Sequence, residues 1–110
     1  MFGSTALITS SAERYAVEVP VVAHAGDGNA HPIIVFERGN PVARDRAYLA
    51  FNEIMHLAIE LGGTITGEHG VGRAKKAALP DQLGPDVMAL SHKIKNALDP
   101  LGILNPGAIL

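Results

Sequence analysis

Two short stretches of this sequence place reactive side chains close together. The first is His24-Ala25-Gly26-Asp27-Gly28-Asn29-Ala30-His31. Two imidazoles flank a run of small residues that leaves open space beside their rings, and Asp27 and Asn29 add polar groups between apolar segments. The second is Gly62-Gly63-Thr64-Ile65-Thr66-Gly67-Glu68-His69-Gly70-Val71-Gly72-Arg73. Here an adjacent Glu and His lie between glycines, which let the backbone approach a flat ligand or a second segment closely. Taken together, His24, His31 and Glu68 are two imidazoles and a carboxylate, a common catalytic metal set with room left for water or substrate. Nitrogen and oxygen donors of this kind suit Zn first, and also Mn or Fe. The same residues are compatible with an ordinary hairpin turn and a flexible loop, because spacing alone does not say whether Glu68 reaches the histidines.

Other readings of these stretches fail. The Asp-Gly-Asn run resembles the start of a calcium loop, but the twelfth position from Asp27 is Arg38, where a bidentate Glu is required. No Gly-Lys-Ser/Thr follows the second stretch, so it is not a phosphate loop. Glycines at 67, 70 and 72 do not match a dinucleotide fingerprint. His56 and His92 fall off the apolar stripes of their helices and read as surface residues. Arg73, Lys75 and Lys76 read as a solvated face.

The elements that must position these residues follow from periodicity. Residues 4–17 read as a helix. Pro20 and the β-rich run from Val17 to His24 read as a strand. Asp27-Gly28 is a turn signal, and Pro32 to Phe36 reads as the returning strand, so His24 and His31 lie near the two mouths of a hairpin. Asn40 suits an N-cap and Pro41 the first helical position. That helix should run to about Leu61, with Ala47, Ala50, Ile54, Leu57, Ala58 and Leu61 inward. Gly62-Gly63 ends it. Thr64 to Thr66 is β-like, and Gly67 to Arg73 is a loop. A further helix is expected over about 86–98, with Val87, Leu90, Ile94 and Leu98 inward and Lys93 and Lys95 near its C-terminal end, where the dipole favours cations. Asp99-Pro100 stops it, and the tail holds an Asn-Pro-Gly turn.

Bulk composition sets the class. A chain of 110 residues is expected to form a single domain, residues 1–110. With 47% hydrophobic and 18% charged residues it reads as folded, not disordered. A net charge of −2 without long runs of one sign argues against a nucleic-acid partner. No apolar run approaches the roughly 20 residues that a transmembrane segment needs. The absence of cysteine excludes a disulfide scaffold or thiolate metal site and fits a reducing, cytoplasmic setting.

Three stretches, HAGDGNAHP, GGTITGEHGVGRAKK and IKNALDPLGILNPG, occur in this order and at similar spacing in FAD-linked oxidases acting on D-2-hydroxy acids. That family includes the glycolate oxidase D subunit, D-lactate dehydrogenases and D-2-hydroxyglutarate dehydrogenases. The chain resembles the C-terminal part of these proteins over about residues 14–110. Ala30 is often Leu in the family's motif and Ala108 is often Lys, and neither change removes a reactive group. The resemblance implies that His24 and His31 are metal ligands with Glu68 as the carboxylate ligand. It implies that His69 is the general base beside flavin and substrate, that Asn29 lines the substrate site, and that Asn105 and Gly70 join His69 near the flavin. An imidazole titrates near neutral pH and suits proton transfer. Family members are several times longer, and the part that binds FAD does not correspond to any segment of this chain.

The expected fold is therefore α+β: a small antiparallel sheet with helices packed on one face, similar to the C-terminal half of a ferredoxin-like cap domain. The expected function is the C-terminal portion of a flavin-dependent enzyme oxidising a small 2-hydroxy acid, inactive without an FAD-binding domain or subunit. The other reading is a non-catalytic metal-binding or oligomerisation module from a truncated gene. A cap domain cut in this way exposes apolar surface and a strand edge, so homo-oligomers are expected. A cytoplasmic location is expected, with any membrane association arising through partner subunits.

Overall fold

The structure, a computed structural model, describes residues 2–110, with side chains described from residue 5 onward. The element order is helix α1 (Phe2–Tyr15), strands β1 (Val21–His24) and β2 (Asn29–Pro32), helix α2 (Pro41–Glu60), a 3-10 turn (Lys76–Ala78) and helix α3 (Leu79–Leu98). The fold is α+β, with one two-stranded antiparallel sheet. The chain divides into two compact units, Met1–Gly63 and Thr64–Leu110.

In the first unit α1 packs on α2. The buried positions recur at three- and four-residue spacings: Ile8 and Ser11 on α1, and Ala43, Ala47 and Ala50 on α2. Ala47 and Ala50 belong to the inward stripe expected from periodicity, whereas Leu61 at its far end is exposed. Small residues on these faces let two helix backbones come close. The seam carries one cost, since the Ser11 hydroxyl is fully buried and has no hydrogen-bond partner among the described residues. At the edge of the helix pair, Arg14 donates to Glu53 at 2.6 Å. The Tyr15 phenol is pushed above its ordinary range by a hydrogen bond to the Glu53 carboxylate, with burial and the Glu53 charge adding to it and Arg14 opposing.

Both helices of this unit end in the same motif. Gly62 N–H donates to Ile59 O at 2.9 Å and Gly63 N–H to Ala58 O at 2.8 Å, with Gly62 at φ 75°. At the end of α1 the corresponding bonds run from Ala16 to Glu13 (3.1 Å) and from Val17 to Ala12 (3.0 Å), with Ala16 at φ 50°. Gly62 was legible as a stop signal. Ala16 was not, because alanine seldom takes that conformation. At the start of α2, Asn40 Oδ1 accepts from Ala43 N–H at 3.1 Å, as an N-cap should, with Pro41 following.

In the second unit, α3 is broken at Gly84 (φ 74°, ψ 169°), with Pro85 restarting the helix. The expected 86–98 helix is the longer part, and the short piece before Gly84 went unpredicted. Thr64 to Thr66, expected to be β-like, forms no strand. The expected burial of Val87, Leu90, Ile94 and Leu98 is wrong: they are 46%, 57%, 53% and 76% exposed. The spacing of that stripe is helical, but it is left exposed among the described residues.

Candidate functional site

The hairpin of the first unit determines how its histidines meet. Its ladder pairs Val21 with Pro32, Val22 with His31, Ala23 with Ala30 and His24 with Asn29. Side chains alternate along a strand, so His24 and Val22 share a face with their partners Asn29 and His31. The two imidazoles are therefore diagonal neighbours on one face. Their ring centroids lie 5.1 Å apart, with the planes at 83°. His24 is exposed, while Asn29 and His31 are half-buried.

The loop between the strands is held by local bonds. His24 O accepts from Asp27 N–H at 3.3 Å and from Gly28 N–H at 3.1 Å. Asp27 Oδ1 accepts from Asn29 N–H at 3.1 Å. Gly28 adopts φ 83°, which a side chain would resist. Asp27 thus shapes the turn. Beyond the named strands the pairing continues through Ile33 N–H to Pro20 O and Val35 N–H to Glu18 O, each 2.9 Å. The hairpin accordingly spans about the length expected from sequence.

In the second unit, Glu68 and His69 sit at the tip of the glycine-rich loop, with His69 Nε2 3.6 Å from Glu68 Oε1. Both side chains are exposed. Thr66 Oγ1 donates to Gly70 O across the loop at 2.8 Å, closing the segment that carries them. Gly70 has φ 80°. Buried Ile65 anchors the loop from below, its N–H donating to Gln82 Oε1 at 2.7 Å. Gln82 lies on the short helical piece that the sequence reading missed.

The C-terminal tail returns to this loop. Arg73 Nη2 donates to Pro106 O at 2.9 Å, and Ile109 N–H donates to Gly72 O at 2.8 Å. Asn105 begins a turn closed by Ala108 N–H to Asn105 O at 3.2 Å, and its own φ is 47°. The tail is also tied to the end of α3. Asp99, with its side chain 3% exposed, accepts from Lys95 Nζ at 2.5 Å and from the N–H groups of Ile103 and Leu104 at 3.0 Å each. The Lys95 hydrogen bond holds the Asp99 carboxyl below the usual carboxylate range; burial pulls the other way, and the two N–H donors and the Lys95 charge assist.

The structure therefore brings together His24, Asn29 and His31 in one unit, and Glu68, His69, Gly70 and the Asn105 tail in the other. Arg73 is exposed, as expected of a solvated face, and also ties down the tail. Lys75 and Lys76 are half-buried, and burial lowers the Lys75 ammonium from its ordinary value. The structural work of Asp99 was missed. Its signal was present, since an Asp directly after a helix with Lys four residues earlier is placed to cap the end and accept from the returning chain.

The residues fit a metal in donor chemistry, because two imidazoles on one strand face and an exposed carboxylate are ligands for a borderline divalent cation. They fit a flavin less fully. Gly70, His69 and Asn105 are exposed loop positions that can line one edge of such a ring and cannot enclose it.

The comparisons with known proteins agree with the motifs. The chain belongs to the family of FAD-linked oxidases, matching its C-terminal domain over residues 4–109. It is 42% identical over 100 residues to glycolate oxidase subunit GlcD of Escherichia coli (strain K12), covering 91% of this chain and 20% of that one. It is 44% identical over 100 residues to glycolate oxidase subunit GlcD of Bacillus subtilis (strain 168), covering 91% and 21%. To the mitochondrial cytochrome D-lactate dehydrogenase of Arabidopsis thaliana it is 41% identical over 90 residues, covering 82% and 16%. The chain thus spans about a fifth of the length of the curated relatives it matches. No helix among the described residues is long and apolar enough to cross a membrane.

Proposed function

We propose that this chain is the metal- and substrate-binding side of a flavin-dependent oxidoreductase that converts a D-2-hydroxy acid to the 2-keto acid. The observation that carries the reading is the shared strand face of His24 and His31, with ring centroids 5.1 Å apart. In this reading Glu68 completes the ligand set and Asn29, on the same strand face as the histidines, lines the substrate. When bound, the cation supplies Lewis acidity toward the substrate hydroxyl and the flavin supplies a two-electron acceptor. His69 takes the hydroxyl proton at a ring nitrogen. Gly70 leaves room for the flavin edge next to His69, and Asn105 meets that edge from the tail. The FAD-binding part is supplied by chain or subunit outside these residues, and the 110 residues alone are inactive. The exposed stripe of α3 supports self-association or docking as part of the same picture.

The test is the metal content of the purified chain after exhaustive dialysis, read by elemental mass spectrometry beside His24→Ala. About one Zn, Mn or Fe per chain, lost in the variant, is expected. Absence of metal from both proteins would remove the metal from the proposal. Addition of an FAD-binding domain should then allow a D-2-hydroxy acid to bleach the flavin absorbance, and a lack of bleaching would leave the reading without its enzymatic content.

A further inference from the structure

We propose that Arg73, Lys95 and Asp99 are positioning residues that hold Asn105 in one exposed conformation for the ligand it meets, an inference that rests on the reading above. The grounds are the bonds on either side of Asn105. Leu104, just before it, is held at both main-chain polar groups: its N–H donates to Asp99 Oδ2 at 3.0 Å, and its C=O accepts from Lys95 Nζ at 2.8 Å. Pro106, just after it, is held at its carbonyl by Arg73 Nη2 at 2.9 Å. Three charged side chains, drawn from the glycine-rich loop and from the end of α3, thus converge on the main chain flanking one exposed polar residue.

The backbone adds a second argument. Asn105 adopts φ 47° and Ile109 φ 60°. Asparagine enters the left-handed region at modest cost, but a β-branched residue there is a true outlier and persists only where its surroundings impose it. The bond from Ile109 N–H to Gly72 O imposes it here. The common result of these contacts is that the Asn105 turn is fixed to the loop bearing Glu68 and His69, with Arg73 four residues beyond His69. Arg73 suits this task because its guanidinium is planar and always charged, so its donors keep a fixed direction.

The experiment uses the full chain labelled for nuclear magnetic resonance and needs neither metal nor flavin, so it can fail independently of the proposed function. In the wild type, the Asn105 carbon shifts should carry the left-handed signature, and its amide order parameter should be about 0.85, as for rigid backbone. Arg73→Met should abolish that signature and lower the order parameter below about 0.6, with Ile65 and Ala50 unchanged. Arg73→Lys, which keeps a donor, should restore part of both. Lys95→Met tests the other side of the turn and serves if Arg73→Met does not fold. An Asn105 that stays rigid and left-handed in both Met variants, or that is already mobile in the wild type, overturns the assignment.

Discussion

Helices α2 and α3 are both 20 residues long, and both carry apolar residues at helical spacing, yet they fare oppositely. On α2 the buried positions are mostly alanines, at 43, 47 and 50, and α1 packs on the helix. On α3 the stripe is made of large aliphatic residues, and they are exposed. The exposed set continues past the helix through Leu101, Ile103 and Leu104. Burial thus requires a partner as well as a pattern. The α2 pattern is answered inside this chain. The α3 pattern is left exposed among the described residues.

This contrast can be broken by mutation. The largest effect is expected at Asp99, where the second unit does have a buried, fully engaged side chain. Its folded-state pKa lies below the ordinary value of 3.8, so its stabilisation is complete above that value and is lost as pH falls through the lower, folded one. Thermal melting from pH 5 downward should show this acid-sensitive component, and Asp99→Asn should melt lower at pH 7 and lack it. Next is Ala50→Leu, which overfills the α1–α2 seam and should cost about 1–3 kcal/mol in urea unfolding. A neutral result would mean that the seam is loose. Ser11→Ala should act in the opposite direction at the same seam, stabilising by roughly 1 kcal/mol, because a buried hydroxyl without a partner is replaced by a methyl. The smallest effect is expected from Leu90→Ala, within about 0.5 kcal/mol if the α3 face is uncovered in solution. A loss of roughly 2–5 kcal/mol, as for a core leucine, would show that another molecule covers it. Light scattering distinguishes these cases: mass that rises with concentration, and is abolished by Leu90→Glu with Ile94→Glu, places a second copy on that face.

What is legible in the sequence is what residues impose on their own neighbourhood. Asn40 followed by Pro41, Gly62 after the last helical turn, and Asp27-Gly28 in the hairpin each set the conformation of their own few residues, and the structure has each as read. Ala16 in a left-handed helix stop ran against local preference and so left no signal. The piece of helix before Gly84 is too short to show a period, and Gln82, which anchors Ile65 from it, was missed for that reason. The sites follow the same division. The His24–His31 contact follows from residue types, because strand alternation and a tight turn leave the rings little choice of face. The tie from Arg73 to Pro106 spans 33 residues and could not be read from either segment alone.

By itself, then, the sequence determined the hairpin and the main helices, the helix stop at Gly62 and, through three motifs in order, the family. Such features depend on residue identity and short spacing, which the chain carries wherever it folds. Only the tertiary structure decided which apolar stripe is covered, that Asp99 and Lys95 knot the tail to α3, and that Arg73 anchors the turn at Asn105. Those outcomes depend on which distant surfaces meet, and a stripe of leucines has the same period whether or not a partner arrives to bury it.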